Sequence, residues 1–322
     1  MPTGRGAGSL HRSFRRWVDS ERLARVSTST TDGTTTGSGT AYRVQGAPGG
    51  RPVVALHGTP GSRFSGTPAR DALNALGLRV VTLDRPGYGD TPAGESRPAR
   101  ELAADVLEVL DHAGIHEQVG LLAGGGGTPA ALALAALHPD RVAALTLVWP
   151  QAPGAADAGS PGMGEHEWLR DMDEQQRMLH ALALQDPVFL RDQLELGLGQ
   201  GAGADGIVLD LVQAQEPWGL DPADVRCVVD VWWGTDSSVT PAGHARWLAE
   251  RLTGVEVHRH ELDEPRWHVR RLVEVFATLG ERLGVEPLTA QELAAATAAV
   301  DTDGCGSGGI GGCACGAGGC GS

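Results

Sequence analysis

The chain contains no lysine: all 26 of its cationic residues are arginine. Schiff-base chemistry through a lysine amine is therefore excluded, and covalent catalysis would need another side chain. The arginines form no basic stripe, and 40 acidic residues bring the formal charge to −14. Phosphate backbones are bound by clustered cations, so nucleic acid is not an expected partner. No run approaches the roughly 20 apolar residues of a membrane span. The N-terminal "MPTGRGAGSLHRSFRRWV" carries arginines but no apolar segment of secretory length. A cytoplasmic protein with no membrane partner is expected. Cysteine is nearly absent from the body, where Cys227 stands alone, while Cys305, Cys313, Cys315 and Cys320 crowd the last 18 positions. That distribution is no disulfide framework for a chain of this size.

What is present is an alternation. Short β-branched runs at Val53 to Leu56, Arg79 to Leu83, Val119 to Leu122 and Ala143 to Val148 read as strands, with helical segments such as Arg100 to Ala113 and Pro129 to Leu137 between them. A second set follows, with strands at Val228 to Trp233 and Val255 to His260 and helices at Ala242 to Arg251 and Val269 to Leu283. The pattern predicts an α/β fold with a mostly parallel central sheet flanked by helices. Residues 1–40 read as an N-terminal extension and first strand, and 41–152 with 217–284 as the core. Residues 153–216 read as a helical lid that leaves the sheet and returns to it. Residues 285–303 form a linker in which Thr289 and Glu292 have capping-box spacing before a short helix. In 304–322, ten of 19 residues are glycine and four are cysteine, leaving nothing to offset ordering entropy, so a disordered tail is expected.

A strand, a tight turn and a helix are legible in "LLAGGGGTPAALALAALHPDRV", yet no serine, cysteine or aspartate stands at the turn. With "HGTPGSR" at 57–63, "DRPGYGDT" at 84–91 and "WWGTDSSVTPAGHARWLAERL" farther on, the chain resembles the α/β-hydrolase superfamily over about residues 40–283. The resemblance implies a nucleophile elbow at Gly125 and oxyanion-hole backbone donors at Thr59 and Gly126. It also implies a catalytic acid at Ser237, with Asp236 one place early, and a catalytic histidine at Pro265 or Arg266. Glycine has no nucleophilic atom, and arginine stays protonated and cannot act as a base. The Thr128 hydroxyl, three residues past the elbow, reads as a helix cap. His268 is either a substitute histidine brought close by a longer loop or, as a lone histidine, a structural one, and His258 and His260, which alternate on a predicted strand, read as fold residues. All three triad positions are non-standard together, which points to a degenerate triad and a pseudoenzyme. Removing a serine hydrolase's nucleophile alone costs roughly a million-fold in turnover.

Two readings remain. The segment "GCGSGGIGGCACGAGGCGS" resembles the Gly/Cys-rich core peptide of a ribosomally made, post-translationally modified natural product. That resemblance implies a body acting as leader or carrier, peptide-modifying enzymes as partners, and Cys305, Ser307, Cys313, Cys315, Cys320 and Ser322 as modification sites. Gly308-Gly309 and Gly311-Gly312 would be cleavage points. The cysteine spacings of 8, 2 and 5 differ from those of paired C-x2-C metal sites, so no metal is assigned. The alternative is a cofactor-free enzyme of epimerase or lyase type, or a hydrolase with displaced residues, binding a small molecule or peptide under the lid. There Asp84, Arg85, Asp236, His57 and His268 would supply charge or proton transfer around Thr59 and Gly126. In the plainer reading Asp84 and Arg85 brace the "DRPGYGDT" turn. No cofactor is implied by either.

Overall fold

The computed structural model describes residues 30–302, apart from 66, 199–202, 236–239 and 265–266. Eight strands form one sheet in the order β1-β2-β4-β3-β5-β6-β7-β8. Their ranges are β1 Thr31–Thr34, β2 Ala41–Gly46, β3 Arg51–Leu56, β4 Leu78–Leu83, β5 Val119–Gly125, β6 Val142–Pro150, β7 Val228–Gly234 and β8 Val257–Leu262. The first two strands run antiparallel to their neighbours, and every pairing from β4 to β8 is parallel. The central strands are apolar on both faces because helices cover both. In β3 every residue after Arg51 is buried, with Val54 opposite Val81 on one side and Leu121 on the other.

Helices α1 (Arg70–Ala75), α2 (Ala99–His112) and α3 (Thr128–Leu137) follow the strands of the first half. The alanine-rich α3 is buried almost all round, because it lies in contact with β5, β6 and α2 at once. After β7 come α8 (Ala242–Arg251), α9 (Trp267–Arg270), α10 (Leu272–Arg282) and α11 (Ala290–Thr302), in chain order with β8 between α8 and α9. The expected single helix over 269–283 is two: Arg271 takes φ −103° and ψ 10°, which breaks the helix there. The Thr289 N–H donates to Glu292 Oε2 at 2.8 Å and the Glu292 N–H to Thr289 Oγ1 at 3.3 Å, so α11 begins with a capping box.

Four helices stand between β6 and β7: α4 (Glu165–Leu169), α5 (Glu174–Gln185), α6 (Pro187–Leu198) and α7 (Ala204–Gln215). The last three share a small apolar cluster of their own, around Ala183, Leu190 and Val208. Among the described residues no helix is long and apolar enough to cross a membrane. The proposed tail at 304–322 lies outside the described residues.

Candidate functional site

Strand β5 ends in glycines, and the chain turns sharply before α3, with the Gly127 N–H donating to the Gly124 carbonyl at 2.8 Å. Gly125 sits at φ +40°, a left-handed conformation that costs a residue with a Cβ about 1–2 kcal/mol. The glycines answer to different constraints. A Cβ on Gly127 would lie 2.9 Å from Leu56 Cβ, and one on Gly126 would lie 2.7 Å from Asp210 Oδ2 and against Thr59 Oγ1. A side chain at either would have to displace its neighbours. At Gly125 the nearest atoms to a Cβ would be Gly58 Cα at 3.8 Å and the Thr59 nitrogen at 3.9 Å. Space is available there, and it faces the Thr59 nitrogen. Thr128 is not the cap: Gly127 holds that position, and the buried Thr128 hydroxyl donates to the Gly125 carbonyl at 2.6 Å while accepting from the Gln151 N–H at 3.2 Å.

Around the elbow, polar groups are fully engaged. His57 Nδ1 lies 2.7 Å from the Gly58 carbonyl, and Nε2 accepts from the Arg85 backbone N–H at 3.2 Å. These partners assign the Nδ1–H tautomer. Burial first, then the Arg85 charge, pushes the imidazole down to about 3, so His57 is neutral and held. Arg85 is buried, and its guanidinium donates to the carbonyls of His57, Gly58 and Gly126 at 2.9, 2.9 and 3.0 Å. Its remaining donors meet Asp210, at 2.7 Å on Oδ2 and more closely on Oδ1. Tyr88 Oη also donates to Asp210 Oδ2, at 2.6 Å, as does Thr59 Oγ1. Burial alone would raise the Asp210 carboxyl; the Arg85 charge and these hydrogen bonds outweigh it and hold the group below the usual carboxylate range. Asp210 comes from α7, so an element between β6 and β7 places a carboxylate directly in front of the elbow. The cavity against Arg85 and Asp210 offers about 30 Å³, room for one water.

The alpha/beta hydrolase fold family model matches residues 51–198. Among curated proteins, the chain is 38% identical over 113 residues to Epoxide hydrolase B of Mycobacterium tuberculosis, covering 34% of this chain and 32% of that one. It is 34% identical over 109 residues to the Proline iminopeptidase of Neisseria gonorrhoeae, covering 33% of this chain and 34% of that one. The matches thus span about a third of those relatives. Among solved structures, an alpha/beta hydrolase fold protein from Nakamurella multipartita superposes with a TM-score of 0.53 at 26% identity, over 79% of this chain and 99% of that one. The enol-lactonase of Burkholderia xenovorans LB400 superposes with a TM-score of 0.55 at 22% identity, over 79% and 100%. The chain has the α/β-hydrolase fold.

In this hydrolase fold, Gly125, Gly126 and Thr59 come together at the carboxyl ends of β3 and β5. Asp236 and Ser237, expected at the acid position, and Pro265 and Arg266, expected at the histidine position, lie outside the described residues, as do Cys305, Ser307, Cys313, Cys315, Cys320 and Ser322. His268 is buried on α9 with its ring 4.1 Å from that of Trp149. Trp149 adopts φ +44°, rare for a bulky residue, next to Pro150, which is in register with Gly125. His268 thus belongs to an aromatic cluster one strand from the elbow. His260 Nε2 meets Asp230 Oδ1 at 2.8 Å and stacks on Trp232, and His258 pairs with Glu256, both away from the elbow. Asp84 accepts from the backbone N–H groups of Arg63 and Asp90 at 2.6 and 3.0 Å and from the Arg63 guanidinium, which fixes the 84–91 turn. Among the described residues no cluster of His, Cys, Asp or Glu is placed to hold a metal.

The residues missing from the sequence reading are Asp210 and Tyr88. Asp210 had one signal: it stands on the same helical face as Ile207 and Ala214, both buried, and an aspartate on an apolar face needs a partner. What local pattern could not supply was the partner, 125 residues away. Chemically the arrangement presents backbone donors and a neutralised Arg–Asp pair. It presents no nucleophilic atom at the elbow.

Proposed function

We propose that this is a non-hydrolytic α/β-hydrolase-fold protein whose body serves as leader or carrier for its Gly/Cys-rich segment, residues 304–322. That segment is in this reading a substrate of peptide-modifying enzymes in natural-product biosynthesis. The observation that carries the non-hydrolytic part is Gly125: the elbow keeps its left-handed φ and its open space, and holds no oxygen or sulfur. An acyl-enzyme has no atom on which to form there. His57 supports the reading, since both ring nitrogens are engaged and burial pushes it down to about 3, leaving no general base at that position. The carrier part rests on composition: six cysteine and serine side chains stand among small residues, which give an external enzyme access to each backbone site.

Leader function makes a specific demand. Incubated with extract of the native host, the full chain should lose one water per cyclised Cys or Ser, read by mass spectrometry, while a free peptide of residues 304–322 should stay unchanged. Equal modification of both would remove the need for the body, and modification of neither would remove the substrate role.

A cofactor-free enzymatic role is the second reading. The similarity to Epoxide hydrolase B and to the Proline iminopeptidase supports it, together with the backbone nitrogens of Thr59 and Gly126 at the elbow. In this reading Asp210 of the lid helix α7, which lies against Gly126, would bound the ligand's space on that side.

A further inference from the structure

The Arg85 guanidinium is held by three backbone carbonyls, from His57, Gly58 and Gly126, so its position is set by the core without help from the lid. Neutral carbonyls do not cancel its charge, and a buried cation needs an anion. Asp210 supplies it, and does so from another element. Both arms of the guanidinium fork address its carboxylate, while Tyr88 Oη and Thr59 Oγ1 add two hydroxyl donors on Oδ2. A planar fork matched to two oxygens, with further donors converging on one of them, is the geometry of carboxylate recognition.

All of these donors stay with the core. Thr59 follows β3, Arg85 and Tyr88 follow β4, and only Asp210 belongs to α7. The helix meets the core there by small-residue contact. The Gly206 N–H donates to the Gly87 carbonyl at 3.2 Å, and a Cβ on Gly206 would run into the Tyr88 ring. Lifting α7 would remove the anion and leave Arg85, Tyr88 and Thr59 in place, facing the elbow.

We propose that Arg85, Tyr88 and Thr59 form a carboxylate-binding site beside the Gly125 elbow, occupied in cis by Asp210 of the lid helix and open to a small carboxylic acid when that helix is displaced. The ligand class is a carboxylate rather than a phosphate, because the occupant is itself a planar carboxylate whose two oxygens are matched by the two arms of the guanidinium fork. The site is independent of what happens to residues 304–322.

The test is to empty the site and refill it. Asp210→Ala removes the carboxylate, and formate restores one of matching shape. Urea unfolding of the variant and of the unmodified chain is compared in sodium formate, sodium chloride and sodium phosphate at equal ionic strength. Formate should raise the midpoint of Asp210→Ala and leave the unmodified chain where chloride leaves it. At formate ten times above its dissociation constant, the unfolding constant should fall about ten-fold. Adding Tyr88→Phe to Asp210→Ala should weaken formate binding by about ten-fold or more, through loss of one hydrogen bond to a charged group. If Asp210→Ala does not fold in chloride, the fraction refolded in formate is the readout, and Asp210→Ser gives a second, milder host. Equal behaviour in formate and chloride for both variants would overturn the proposal. So would a formate effect unchanged by Tyr88→Phe, or a larger effect from phosphate.

Discussion

A side chain at residue 125 would start from a Cβ standing 3.9 Å from the Thr59 nitrogen, with nothing closer than 3.8 Å. Gly125→Ser should therefore fold, losing about 1–2 kcal/mol to the left-handed backbone at that position. Urea unfolding reads this, and a loss well above that range would mean the space is not there. The same variant should not hydrolyse p-nitrophenyl acetate above the unmodified chain and should not label with a fluorophosphonate. Measurable turnover would show that a base reaches residue 125. Gly126→Ala should be worse than Gly125→Ser in the unfolding assay, because its Cβ would meet Asp210 Oδ2 and Thr59 Oγ1. A reversal of that order would contradict the assignment of residue 125 as the elbow's side-chain position. The elbow was legible in the sequence because glycines before a Pro-started helix mark a turn. That Gly125 alone of the last three has room was not, since room is set by Leu56, Thr59 and Asp210 from other elements.

At the scale of elements, the helices between β6 and β7 are held to the body by buried polar groups as well as by apolar contact. Besides Asp210 on α7, His180 on α5 and His244 on α8 flank Trp168 of α4, with ring separations of 4.7 and 5.7 Å. Burial pushes both imidazoles down to about 4 from an ordinary 6.5. A depressed folded-state value means that the unfolded chain takes up protons first on acidification. Stability from this source is complete above about pH 6.5 and is lost as pH falls towards 4, at up to about 1.4 kcal/mol per pH unit for each group. Urea midpoints should drop between pH 6.5 and 4.5, with a shallower slope in His180→Gln. A flat profile, or an unchanged slope in the variant, would contradict the neutral buried state. Strands were the most legible elements, because buried parallel strands write themselves as β-branched runs such as "VVAL" and "RVVTL". The break at Arg271 and the pairing of α7 with the turn after β4 were not. The first turns on the backbone of a single residue, and the second joins groups 125 residues apart.

For the whole molecule, a hydrolase fold with a glycine at its elbow is joined to a segment whose chemistry lies in its cysteines and serines. Burial first pushes the Cys227 thiol up to about 11, so it should be slow towards thiol reagents in the folded chain. Any fast-reacting thiols then report on Cys305, Cys313, Cys315 and Cys320. The most direct test of the carrier account is intact and tryptic mass spectrometry of the protein isolated from its native host, focused on everything after Arg271. The account predicts the loss of one water, or of one water and two further hydrogens, at individual Cys and Ser residues of 304–322, or a chain cut near Gly309 or Gly312. A full-length segment of unaltered mass with four free thiols would contradict it.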